Sequence, residues 1–413
     1  MREKKFYKWE LLLWLWIAYF FNQADRQIFN IVLPLIKEDL GFTDAQLGLV
    51  ASTFVLCVGI CTPIAGFIGD LFSRKNIIIT SLFIWSIATF FTGFTSTIFS
   101  LILLRSVAVG GGEAFYAPSA NAIICEYHTK TRAIAMSIHQ TALYIGIILS
   151  GLIGGLIAEN YGWRMPFYIF GGIGILLTFL LLWRLKQSRN VAPSSSQDRK
   201  KFIKEAFVLL FRKPSAMLLG ASFICLVFVN VGYLTWMPTF LHEKFNLSIT
   251  GAGFSSMFYH HAAAFIGIIL GGLLSDKIAL KSKLYRLVIQ GVGMLLGAPF
   301  IFAMGQGSTL TIVYIALAGF GLFRGIYEAN FITTIYGVIE PKYRASVIGL
   351  VYLFVFSVGS ISPYLLGYFK QSFGLSNGLS SLGVAYIIGG ILVLITLKWF
   401  FTKDMINESV EKN

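Results

Sequence analysis

Between residues 9 and 401 the chain repeats one device twelve times, a run of about 20 mostly apolar residues followed by a short polar break. The runs lie at roughly 9–36, 44–70, 76–96, 98–126, 131–158, 163–185, 214–241, 250–276, 284–304, 308–338, 343–370 and 378–401. In hydrocarbon such a run has to satisfy its own backbone hydrogen bonds, and an α-helix does so within a single segment. The runs are continuous rather than alternating, which excludes a β-barrel. Composition agrees: 56% of residues are hydrophobic and only 13% charged, where a soluble domain carries about 25% charge. The expected fold is an all-α membrane protein with twelve transmembrane helices. The N-terminal run reads as the first span, because its apolar core is too long for a leader and no small-residue cleavage site follows.

Charge placement gives the topology. With both termini cytoplasmic, 26 of the 33 Lys and Arg fall in cytoplasmic segments, and only Lys37, Arg164, Lys244 and Lys370 lie outside. The excess of 33 bases over 19 acids is thus a topology device and not a nucleic-acid footprint. Cys57, Cys61, Cys125 and Cys225 all sit in apolar segments without C-x-x-C spacing, so neither a metal site nor a disulfide is expected. "GGGE" at 110–113 is no nucleotide loop, since neither a strand nor Lys-Ser/Thr accompanies it. No catalytic constellation has a scaffold. An enzyme, an ATP-driven pump and a cofactor are all unexpected.

The longest polar break separates six runs from six. It divides the chain into an N-terminal six-helix bundle (1–185), a cytoplasmic linker (186–213) and a C-terminal six-helix bundle (214–413). "KKFIKEAFVLLF" in the linker has the pattern of an amphipathic helix lying on the membrane. The halves echo each other. "GFIGDLFSRK" (66–75) and "GLLSDKIALK" (272–281) place Asp70 and Asp276 at positions 206 apart, and "GEAFY" (112–116) is echoed by "YEANF" (327–331). Paired six-span repeats are a transporter architecture.

The G-x-x-x-D-x-x-x-R-K loop at Gly66, Asp70, Arg74 and Lys75 resembles the most recognisable motif of the major facilitator superfamily, with Ser73 in place of its usual third Gly. Within that superfamily, "DRQIFNIVLPLIKEDLGFTDAQLGL" (25–49), "GGGEAFYAPSANAII" (110–124) and "SPYLLG" (362–367) resemble bacterial Spinster-like transporters. The Asp-Arg of the first span and the Arg…Gly-Glu-Ala of the fourth also resemble the anion–cation symporters that import sugar acids. The resemblance implies the major facilitator fold, a bacterial inner-membrane location, and a gating role for Gly66, Asp70, Arg74, Lys75 and Asp276.

Six charges lie within the spans: Asp25, Glu113 and Glu328 against Arg26, Arg105 and Arg324. An even set is what a low dielectric requires, because an isolated buried charge costs far more than a compensated one. Neighbouring helix positions point about 100° apart, so Asp25 and Arg26 face different partners. Arg105 and Glu113 are eight positions apart and need partners elsewhere, whereas Arg324 and Glu328 have i,i+4 spacing. Burial favours the neutral form of a carboxyl, which suits Asp25, Glu113 and Glu328 to proton coupling. Guanidinium forks suit Arg26, Arg105 and Arg324 to an anionic substrate. Asn22, Tyr116, His139, Tyr144, His260 and His261 are candidate polar groups beside them. Fixed ion pairs and helix–helix hydrogen bonds are the plainer alternative for each.

The resulting expectation is a monomeric proton-coupled transporter of a sugar-acid-like anion. Two alternatives stand beside it: a Spinster-like carrier of a lysolipid or sphingoid amphiphile, and a passive facilitator or non-transporting receptor.

Overall fold

The computed structural model describes residues 2–186 and 196–406, and within these every side chain except those of residues 2–6, 67, 69–71 and 196–203. The first six helices are α1 (Arg2–Leu40), α2 (Asp44–Leu71), α3 (Arg74–Thr92), α4 (Ile98–Tyr127), α5 (Arg132–Tyr161) and α6 (Arg164–Arg184). Then follow α7 (Ser196–Arg212), α8 (Pro214–Phe245), α9 (Ile249–Ala279), α10 (Tyr285–Gln306), α11 (Leu310–Tyr336), α12 (Pro341–Phe373) and α13 (Leu375–Asp404). Among the described residues, eleven helices are long and apolar enough to cross a membrane. α1 is the twelfth span: it runs unbroken for 39 residues but carries "NQADRQ" in its middle. Lipid-facing positions are apolar, with Phe99, Leu176 and Trp183 each strongly exposed.

Two compact units are present. The first comprises Met1–Pro193 with Leu234–Met257 and Pro363–Tyr368; the second comprises Ser194–Tyr233, Phe258–Ser362 and Phe369–Asn413. In the first, the end of α5 meets the start of α9, where the Glu159 carboxylate accepts from Thr250 N (3.1 Å) and Oγ1 (2.6 Å). It thereby satisfies donors at the start of a helix that its own ladder leaves open.

The repeat is visible in how helices begin and end. Thr97 and Thr309, 212 apart, cap α4 and α11 by accepting from the backbone three residues on. Gly162 (φ 84°) and Gly374 (φ 78°), also 212 apart, end α5 and α12 in the left-handed region that favours glycine. Packing then sets a finer register. A Cβ on Gly110 of α4 would come within 3.1 Å of Phe54, whereas one on Gly321 of α11 would overlap the His260 carbonyl. Similarly, Gly111 approaches Cys61, and Leu322 approaches Gly267. The α2 and α9 positions in these pairs are 206 apart, like Asp70 and Asp276, but the α4 and α11 positions are 211 apart. Between cap and contact α4 therefore holds one residue more than α11. It absorbs that residue in a π turn, Ile102–Ala108, where the ladder widens to i→i+5. Arg105 lies inside this turn.

Candidate functional site

The polar middle of α1 lies where two apolar clusters meet. One contains Leu15, Tyr19, Trp85 and Tyr116; the other contains Ala24, Ile28, Phe29 and Phe170. Between them the first unit holds Asp25, Arg26, Arg105 and Glu113. Arg26 Nε donates to Glu113 Oε2 at 2.6 Å, joining α1 to α4, with the carboxylate fully buried and the arginine side chain 25% exposed. Arg105, 3% exposed, donates from Nη2 to the backbone carbonyl of Arg26 at 2.7 Å. Its guanidinium lies over the rings of Phe54 (4.2 Å) and Phe29 (5.5 Å). Its Nε and Nη1 have no hydrogen-bond partner among the described residues, and neither do Glu113 Oε1 and Asp25 Oδ1. Asp25 is buried beside the Trp85 indole, within the fields of Glu113 and Arg105. Two cations and two carboxylates thus share one pocket of low dielectric. The spacing argument leaves Arg105 and Glu113 seeking partners elsewhere, and α1 supplies both.

The neighbouring candidates are placed differently. Asn22 is buried and accepts from Gln23 Nε2 at 2.8 Å. Tyr116 is buried, donates its hydroxyl to the Leu15 carbonyl and packs edge-on against Trp85. His139 is buried and stacks on Tyr19, with centroids 4.6 Å apart and planes 8° apart. Tyr144 is half-buried on α5. Sequence reasoning passes over Phe54, Phe29, Tyr19 and Trp85, which surround these groups. Among 38 Phe, 18 Tyr and 8 Trp, nothing in the sequence separates an aromatic beside a charge from one facing lipid.

The second unit has a smaller polar centre. Arg324 pairs with Glu328 at 2.9 Å one turn along α11, and its Nη1 lies 3.0 Å from His260 Nε2. That nitrogen must be the acceptor, which makes His260 a neutral imidazole protonated on Nδ1. Tyr233, Phe320 and His261 pack around its ring. The packing register corrects one reading. The "GEAFY"/"YEANF" echo sets Glu113 against Glu328, but the 211-residue register of the contacts sets it against Arg324.

At the helix-end motifs, Arg74 meets Glu126 at 3.4 Å, Lys75 is half-buried, and no described residue crowds Gly66. The Asp70 side chain lies outside the described residues. In the second copy, Asp276 pairs with Arg286 at 2.7 Å. The motif window suggests a lost arginine with only Lys281 remaining; α10 provides the arginine from beyond that window.

An all-α bundle of this length, with a duplicated set of spans and compensated charges inside it, defines a membrane transporter. Residues 15–363 match the model of the Major Facilitator Superfamily, and the chain belongs to that family. It is 24% identical to the hexuronate transporter of Bacillus subtilis (strain 168) over 94% of this chain and 93% of that one. It is 26% identical to the sialic acid transporter NanX of Escherichia coli (strain K12), over 92% and 91%. Among solved structures it is similar to a bacterial homologue of the human lysosomal transporter Spinster, in an inward-facing and unoccupied conformation. There the TM-score is 0.84 and the identity 25%, over 97% of this chain and 99% of that one.

Proposed function

We propose that this protein couples the movement of a proton to that of an organic anion, a sugar-acid-like carboxylate, across the bacterial inner membrane by alternating access. One observation carries the reading: Arg105 is buried, yet two of its guanidinium nitrogens have no hydrogen-bond partner among the described residues. A buried cation with unspent, coplanar donors is a receptor for a carboxylate. The names of the relatives above, hexuronate and sialic acid transporters, denote carboxylates of that kind. Arg26 shares the anion, and Asp25 and Glu113 carry the proton. With both acids ionised the four charges cancel, so an arriving anion is compensated by protonation of one carboxyl. Arg324, Glu328, His260 and His261 form a second polar centre. Arg74, Lys75 and Asp276, with Asp70, latch helix ends on the cytoplasmic side. Residues 1–185 and 214–413 are the two rocking bundles, with 186–213 and both termini in the cytoplasm.

The test is uptake of labelled hexuronate into proteoliposomes under an imposed pH gradient. Accumulation above equilibrium, abolished by a protonophore, is expected. Equilibration that ignores the protonophore would leave a passive facilitator, and binding without flux a receptor. The resemblance of residues 25–49, 110–124 and 362–367 to Spinster-like transporters implies a second substrate class, a lysolipid or sphingoid amphiphile. Thermal stabilisation by a lysolipid but not by hexuronate would replace the sugar acid with it.

A further inference from the structure

The middle of α1 buries four carboxamides around Asp25 and Arg26: Asn22, Gln23, Gln27 and Asn30. Inside a span a buried polar group costs free energy unless it is bonded, and the plain use for a carboxamide there is to join two helices. These four do not serve that use. Gln23 Nε2 donates to Asn22 Oδ1 at 2.8 Å, and Asn30 Nδ2 donates to Gln27 Oε1 at 3.0 Å, so both bonds lie within α1. Among the described residues none of the four side chains is hydrogen-bonded to another helix. Asn22, Arg26 and Asn30 follow one another at four-residue steps, which puts them on one face of the helix, about 6 Å apart along its axis. Arg26 is the cation that meets Glu113 of α4.

The two intrahelical bonds also set what the flanking carboxamides present. Asn22 spends its oxygen on Gln23 and keeps its amide donor, and that Nδ2 is buried without a hydrogen-bond partner among the described residues. Asn30 spends a donor on Gln27 and keeps its oxygen. A carboxylate offers only acceptors, so it can use Asn22 but not the oxygen of Asn30. A hydroxyl both donates and accepts, so it can use either. We propose that Asn22 and Asn30 read hydroxyl groups of the substrate, so that the site selects a polyhydroxylated acid over a plain carboxylate. The inference rests on the anion reading given above, in which Arg105 and Arg26 hold the carboxylate. A site whose buried groups await a hydroxyl rejects the analogue that lacks it, because those groups are then left unpaired.

The experiment measures binding to the full-length purified protein by titration calorimetry. The two probes are glucuronate and tetrahydropyran-2-carboxylate, which keeps the ring and the carboxylate but lacks the hydroxyls. The unsubstituted protein should bind glucuronate at least about tenfold more tightly. Asn22→Leu and Asn30→Leu should each lower glucuronate affinity at least about fivefold while changing that for the bare ring acid by less than about twofold. Leucine is a good helix former, and Asn22→Ala and Asn30→Ala keep the test open if the larger side chain folds poorly. Equal affinity of the unsubstituted protein for the two acids would overturn the proposal and leave the anion reading standing. Binding of neither acid would overturn both. Equal weakening of the two acids in the variants would make the carboxamides part of the scaffold, and would overturn the proposal as well.

Discussion

α4 and α11 begin with the same threonine cap and press glycines against the same positions of α2 and α9, yet they carry opposite charges at matching places. Glu113 of α4 answers to Arg324 of α11. Glu113 reaches across to Arg26 on another helix, whereas Arg324 turns to Glu328 one turn along its own. Arg105 answers to an apolar stretch of α11 and has no counterpart there. The two halves share what packs the helices and differ in their buried charges. Glu328 finds its cation at i,i+4 on its own helix, although that cation, Arg324, also reaches His260 of α9. A pair between helices, beside an arginine with open donors, is completed only by tertiary structure and has unspent capacity for a ligand.

That contrast is open to direct attack. The largest effect is expected at Arg105. Arg105→Lys keeps the charge but loses the fork, and a charge-assisted hydrogen bond of up to about 3 kcal/mol corresponds to roughly 100-fold in affinity. Hexuronate affinity of the purified variant measures it, and a change under about threefold would remove Arg105 from the site.

The π turn offers the next test. Deleting Leu103, an exposed residue of that turn, gives α4 the same number of residues as α11 between cap and contact. The helix should still form, by circular dichroism. Arg105 should swing by about 100°, the angle of one residue, and binding should fall at least tenfold. Unchanged binding would mean that the extra residue does not aim Arg105.

The two acids should also part company. Glu113→Gln keeps an oxygen facing Arg26 but cannot release a proton, so gradient-driven uptake should fall to the counterflow level while counterflow persists. Glu328→Gln leaves Arg324 its contact with His260 and should retain more than about half of the driven uptake, since an i,i+4 pair stabilises by only about 0.2–0.5 kcal/mol. Equal losses in both variants would erase the distinction between the units.

The smallest effect belongs beyond the end of the first span. The Trp163 indole (3.0 Å) and the Arg164 guanidinium hold the Asp39 carboxyl below its ordinary value. A lowered carboxyl stabilises the fold above the unfolded-state value of about 3.9, and that contribution is lost as pH falls through the lower folded value. Asp39 is largely exposed, so Asp39→Asn should cost at most about 1 kcal/mol at pH 7. The difference in melting temperature should shrink as pH falls below about 3.9 and vanish below the lowered folded value. A difference independent of pH would assign the contact to packing.

The spans, their number and the even count of charges within them are legible in the residues alone. These follow from one local quantity, the cost of placing polar groups in hydrocarbon, which each run of residues pays alone. The motifs through which the family is recognised are legible there too. Register and partnership emerge only when the helices pack. The "GEAFY"/"YEANF" echo is four residues out of step with the packing, because short motifs can match by composition while close contacts set the register. Arg286 lay outside the motif that seeks a partner for Asp276, and Phe54 was one aromatic among many. Glu113 and Arg26 are 87 positions apart. Such pairs depend on which helix faces meet, a property of the assembled bundle that no span encodes alone.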